Sequence, residues 1–139
     1  MSKLIYLAGA ITGLSIEDAT EWRQKIKNTI EDMTSLRWKC VDPVSHIPYC
    51  VNQEVERECF RWDVWKLKQS ALVVCDFDHP SSIGTTWELA VAKENGIPII
   101  GLNTTGASVH PWWQMAAIHI CNSIEDLIDY LCLHYLGED

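Results

Sequence analysis

Two carboxylates, Glu88 and Asp63, stand in surroundings that acid chemistry uses. Glu88 lies in Ser81-Ser-Ile-Gly-Thr-Thr-Trp-Glu-Leu-Ala-Val-Ala92. The pattern predicts a helix from about Thr86 to Asn95, with Glu88 in its first turn, where the macrodipole keeps a carboxylate ionised. Such a group is either a nucleophile aimed into a crevice or simply a complement to the dipole. Asp63 is set among Phe60, Trp62, Val64 and Trp65. It is a solvated face residue or a carboxyl in an apolar pocket, with the raised pKa that a general acid requires. Two such acids on one crevice are the minimum for cleaving a glycosidic bond through a covalent glycosyl-enzyme. Tyr6 can lend a phenol to that site or be an ordinary strand aromatic. Asp76 and Asp78 can bind ribose hydroxyls or cap their loop.

A third feature is the loop Leu7-Ala-Gly-Ala-Ile-Thr-Gly-Leu14. Gly9 and Gly13 permit close approach of the backbone, and free N–H groups at the start of the following helix can bind an anion. The loop is neither G-x-G-x-x-G nor a Walker sequence, so no dinucleotide or triphosphate motif is indicated. A plain tight turn and a phosphate or sugar cradle through Gly9, Ile11, Thr12 and Gly13 both remain open.

The elements that position these residues alternate. Residues 3–8 form a short apolar run suited to a strand buried on both faces. Ser15 caps a helix with apolar positions Ile16, Ala19, Trp22, Ile26, Ile30 and Met33. A second strand covers Arg37 to Val41, before Asp42-Pro43. A helix from about Asn52 to Gln69 precedes the strand Ala71–Asp76, and Ile97 to Leu102 makes a fourth strand after Gly96. Pro111-Trp-Trp113 sits in a loop, Ala117 to Cys121 is a short apolar run, and Ser123 caps a last amphipathic helix. Strands alternating with helices imply an α/β, flavodoxin-like three-layer sandwich with a four- or five-stranded parallel sheet. Ligands bind beyond the carboxyl ends of such strands, here Gly9–Gly13, Asp42–His46, Asp76–Gly84 and Asn103–His110.

Composition narrows the partners. The 139 residues make a single domain, 1–139, and a net charge of -8 argues against polymeric nucleic acid and an anionic membrane surface. No secretory leader and no run of about 18 apolar residues is present, so a cytoplasmic location is expected. The six Cys include no C-x-x-C pair, which favours buried thiols over zinc or a disulfide framework. Seven Trp is a high count for this length. Trp22 and Trp38 read as core residues, whereas Trp62, Trp65, Trp87, Trp112 and Trp113 lie close to the candidate site or its rim.

The segments Tyr6-Leu-Ala-Gly-Ala-Ile-Thr-Gly13 and Pro80-Ser-Ser-Ile-Gly-Thr-Thr-Trp-Glu-Leu-Ala-Val-Ala92, with Asp63 ahead of the third strand, resemble the nucleoside 2-deoxyribosyltransferase superfamily. That superfamily includes 2′-deoxynucleoside 5′-phosphate N-hydrolases, and the resemblance covers residues 4 to about 102. It implies that Glu88 is the nucleophile, that Asp63 assists proton transfer and that Tyr6 contacts the reacting centre. Ser82, Gly84 and Trp87 become candidate substrate contacts beside Asp76. The transferases carry an acid at the position of Ser82, and the hydrolases have an arginine in the first loop that is absent here. His46, after the second strand, resembles a histidine near the base or phosphate and can compensate for that loss. The implied activity is cleavage of the N-glycosidic bond of a (2′-deoxy)nucleoside or its 5′-monophosphate, by hydrolysis or base transfer, with no metal or organic cofactor. The implied assembly is a homodimer or higher homo-oligomer in which Ser108 to Met115 of a neighbour completes the pocket. A silent module sensing a nucleotide-derived ligand is the alternative, though a binder has no need of paired acids.

Overall fold

The computed structural model describes residues 1–11, 13–45, 52–79 and 82–137. Five strands and five helices follow one another: β1 Lys3–Ala8, α1 Ile16–Met33, β2 Trp38–Val41, α2 Gln53–Lys68, β3 Leu72–Asp76, α3 Ile83–Glu94, β4 Ile99–Leu102, α4 Pro111–Ala116, β5 His119–Cys121 and α5 Ile124–His134. All strand pairs are parallel, in the order β2-β1-β3-β4-β5. This is the flavodoxin-like order, with its switch point between β1 and β3.

Strand alternation divides the core in two. Ile5, Leu7, Val74, Ile100 and Leu102 face Ile26 and Ile30 of α1 and Leu127 and Leu131 of α5. Tyr6, Ala8, Val73, Cys75 and Ile99 face Leu67 of α2, Leu89 and Ala92 of α3 and Trp113 of α4. Both faces of the sheet are covered, as near-continuous apolar strands require. Each long helix starts on a side-chain cap. The oxygens of Ser15, Asn52, Ser82 and Ser123 accept the backbone N–H groups of Asp18, Val55, Thr85 and Asp126.

Several expected boundaries move. β2 begins at Trp38 and β4 at Ile99, each later than the apolar pattern implied. The segment read as a loop around Trp112 and Trp113 is the short helix α4. Pro111 opens it, and His110 accepts the Trp112 N–H at its cap. The larger correction concerns α3, which begins at Ile83 on the Ser82 cap, so Glu88 is its sixth residue and lies in the second turn. Gly84, Thr85 and Thr86 are poor helix formers, which is why propensity placed the start too late. Cys40, Cys75 and Cys121 are buried thiols as expected, but Cys132 is exposed. Trp38 is buried, and Trp22 is only partly so.

Candidate active site

β1 and α3 bring the first pair together. Tyr6 points from the middle of β1 toward the α2–α3 side and is fully buried. Its hydroxyl donates a short hydrogen bond to Oε2 of Glu88, 82 residues away in sequence. Burial and the negative charge of Glu88 hold the phenol protonated, far above its usual range. Tyr6 is therefore a fixed donor, and it orients one oxygen of the carboxylate.

Glu88 is not governed by the helix dipole, since its place in the second turn is beyond the dipole's effective reach. Burial raises its carboxyl to about 7, against the opposing pull of the Tyr6 hydrogen bond and the positive charge of Arg23. Asp63, near the end of α2, is also pushed up to about 7, chiefly by burial and then by the charge of Glu88, with Arg23 again opposing. α2 packs directly against α3. The two acids therefore feel each other's charge and titrate as a pair around neutral pH.

The cation beneath them is one that the sequence reading missed. Arg23 of α1 is 0% exposed. Its Nε donates to Leu7 O at 3.3 Å, Nη2 to Gly9 O at 2.9 Å and Nη1 to Ala19 O at 2.5 Å. Asp42, at the end of β2, lies 3.8 Å from Nε. The guanidinium thus ties the carboxyl end of β1 to α1 and lowers the pKa of both site acids. The available signal was spacing: Arg23 falls in the buried stripe Ala19, Arg23, Ile26, Ile30, where a charged residue is rarely free of a role.

The remaining candidates separate. At Gly9 a Cβ would stand 2.8 Å from Cζ2 of Trp22 and 3.0 Å from Cβ of Asp76, so the protein's own packing demands glycine there. Gly13 has φ +87°, the left-handed region that glycine favours. Ile11 accepts the Leu14 N–H within this turn. Asp76 is buried and both oxygens are engaged within its own loop, by the Asp78 N–H and by His79. Ser82 caps α3 and also accepts the Thr85 hydroxyl at 2.9 Å. Gly84 is exposed in the first turn, with open space where a side chain would be. Trp87 is 67% exposed, so it does not join the half-buried acid pair. Thr12 and His46 lie outside the described residues.

A doubly wound parallel sheet with paired acids beside its switch point defines the class. A family model described as nucleoside 2-deoxyribosyltransferase like matches residues 2–105. The chain belongs to that family. Among solved structures it is similar to a 2-deoxyribosyltransferase from Bacillus psychrosaccharolyticus, with a TM-score of 0.72 and 17% identity over 91% of each chain. A conserved protein from Enterococcus faecalis V583 also scores 0.72, at 16% identity over 93% of this chain and 96% of that one. The CMP N-glycosidase BcmB of Clostridium botulinum scores 0.58, at 18% identity over 93% of this chain and 98% of that one. At these identities the likeness is one of fold. A comparison with curated protein sequences gave no match.

Proposed function

We propose that the protein cleaves the N-glycosidic bond of a (2′-deoxy)nucleoside or its 5′-monophosphate, with Glu88 as nucleophile and Asp63 as proton donor. The observation that carries this reading is the Tyr6–Glu88 hydrogen bond beside a second acid raised to about 7. Family membership and the similarity to a 2-deoxyribosyltransferase and a CMP N-glycosidase support the same reading.

In the first step a Glu88 oxygen bonds to C1′ as the C1′–N bond breaks, and the departing base takes the Asp63 proton. In the second, water or another base attacks C1′ and gives its proton to Asp63, and the ester to Glu88 breaks. Positive charge develops on the sugar in both transition states, so the Glu88 carboxylate also contributes electrostatically.

The test is release of free base from a panel of nucleosides and their 5′-monophosphates, with and without an acceptor base, followed by chromatography. Release from at least one member is the expected result, and no release from any overturns the reading. The acids also set the pH response. Below neutrality both are protonated and Glu88 cannot attack; above it both are ionised and Asp63 has no proton to give. A bell-shaped kcat/KM with its maximum near pH 7 is therefore expected.

Assembly as a homo-oligomer belongs to the same proposal. Trp112 and Met115 on α4 and Ile83 and Trp87 on α3 are each at least two-thirds exposed, on helices packed side by side. Exposed aromatic and Met surface of this kind fits a subunit interface. Sedimentation should give at least twice the monomer mass of 15.9 kDa, and Trp112→Glu with Met115→Glu should shift it toward monomer; a monomeric wild type overturns this part.

A further inference from the structure

The buried guanidinium beneath the acid pair is opposed by a carboxylate that the chemistry at Glu88 and Asp63 leaves unused. Asp42 follows the last residue of β2. The parallel register sets Val41 opposite Tyr6, so Asp42 comes level with Leu7, whose carbonyl accepts from Arg23. Its side chain is 7% exposed, and Oδ1 lies 3.8 Å from Nε of Arg23. The same oxygen accepts the Val44 N–H at 2.9 Å. Oδ2 accepts from Nε2 of Gln24, the next residue of α1, at 3.1 Å. Main chain, amide and guanidinium together fix this carboxylate in one place.

Arg23 is placed to act on the reacting groups. It donates to the carbonyls of Leu7 and Gly9, one and three residues beyond the Tyr6 whose hydroxyl holds Glu88. The titratable groups that face it are Asp42 from the end of β2, Glu88 from α3, Asp76 from β3 and Tyr6 from β1. On the α1–β2 side Asp42 also faces Cys40, with Lys27 and Glu31 paired to each other at 2.7 Å. A lone cation beside two carboxyls favours ionisation of both, and Asp63 would then have no proton for the departing base. A second fixed carboxylate offsets that cation. Its charge also opposes ionisation of Asp63 directly.

We propose that Asp42 is a positioning residue for the reaction: it fixes and partly neutralises the Arg23 guanidinium, so that Asp63 keeps the proton that the departing base takes. This rests on the reading of the site as an N-glycosidase. Asp42 touches no reacting atom in this role and acts through Arg23 and through its own charge. Removing that one negative charge makes both acids ionise at lower pH, the reverse of what removing Arg23 does.

The experiment measures the pH dependence of kcat/KM on the best-cleaved member of the panel for wild type, Asp42→Asn and Gln24→Ala. Beside it, NMR titration follows the carboxyl carbons of Asp63 and Glu88 in the free protein. In Asp42→Asn both limbs of the profile and both titrations should move to lower pH by about half a unit or more, which lowers kcat/KM on the alkaline limb about threefold. Gln24→Ala keeps every charge in place and should leave the profile where wild type has it. Asp42→Ser, whose hydroxyl can still accept the Val44 N–H, repeats the test where thermal melting shows the amide variant unfolded. An unmoved profile with activity lowered evenly, a shift to higher pH, an equal shift in Gln24→Ala, or loss of the fold in both Asp42 variants overturns the proposal and leaves the glycosidase reading standing. If wild type cleaves no member of the panel, that reading falls; carboxyl titrations moved to lower pH in Asp42→Asn then uphold the electrostatic role of Asp42, and unmoved titrations end it.

Discussion

Glu88→Gln should lower base release by at least about 1000-fold while leaving a folded protein that is more stable than wild type above pH 7. The activity loss follows from chemistry, because an amide oxygen cannot form the glycosyl ester, and removing a covalent nucleophile typically costs three or more orders of magnitude. The stability gain follows from linkage. Native Glu88 has its carboxyl raised to about 7 from its ordinary value of 4.5. Folding therefore retains a proton that the unfolded chain has already released, and stability falls as pH rises from about 4.5 through 7. The Glu88→Gln substitution removes that contribution, and the amide oxygen it introduces can still accept the Tyr6 hydroxyl. A gain on the order of 1–3 kcal/mol at pH 8, shrinking to nothing near pH 4, is expected in urea unfolding. A variant that loses activity and stability together would instead make Glu88 a packing residue. Function commonly holds a group where folding alone would not place it.

What could be read in advance followed periodic burial. The strands from Lys3 and Leu72 are continuous apolar runs that only a parallel sheet covered on both faces accommodates, and their order follows from right-handed crossovers. Glu88 and Asp63 were legible as residue types, but their environment was not. Position in the chain suggested a dipole-stabilised anion at Glu88, whereas burial against Tyr6 gives a carboxyl near 7. That difference depends on which side chains from β1 and α2 close over it, which no local pattern encodes. Arg23 was hidden because a lone arginine inside an apolar stripe looks like an interruption until the carbonyls of Leu7 and Gly9 are placed above it. His79 and Asp76 sit three residues apart in a turn, without periodicity. Their link to Thr104 through Asp78 comes from the adjacency of β3 and β4.

Removal of the buried guanidinium should be the most damaging single change to the fold. In Arg23→Met the carbonyls of Leu7, Gly9 and Ala19 lose their donors, and Asp42, with a side chain 7% exposed, loses its cation. Deleting one partner of a buried charge arrangement typically costs about 3–5 kcal/mol, because the groups left behind stay desolvated. A urea midpoint lowered accordingly is the expected result. A second consequence separates this role from scaffolding alone. Arg23 lowers the pKa of both Glu88 and Asp63, so its loss should carry both limbs of the pH profile to higher pH. Arg23→Lys keeps the charge but not the fork of donors that spans Leu7, Ala19 and Gly9. It should recover the pH profile more fully than the stability. A Lys variant that restores neither would mean the three carbonyl bonds, not the positive charge, are what the site requires. A Met variant that folds with an unmoved pH profile would remove Arg23 from the electrostatics of the acid pair.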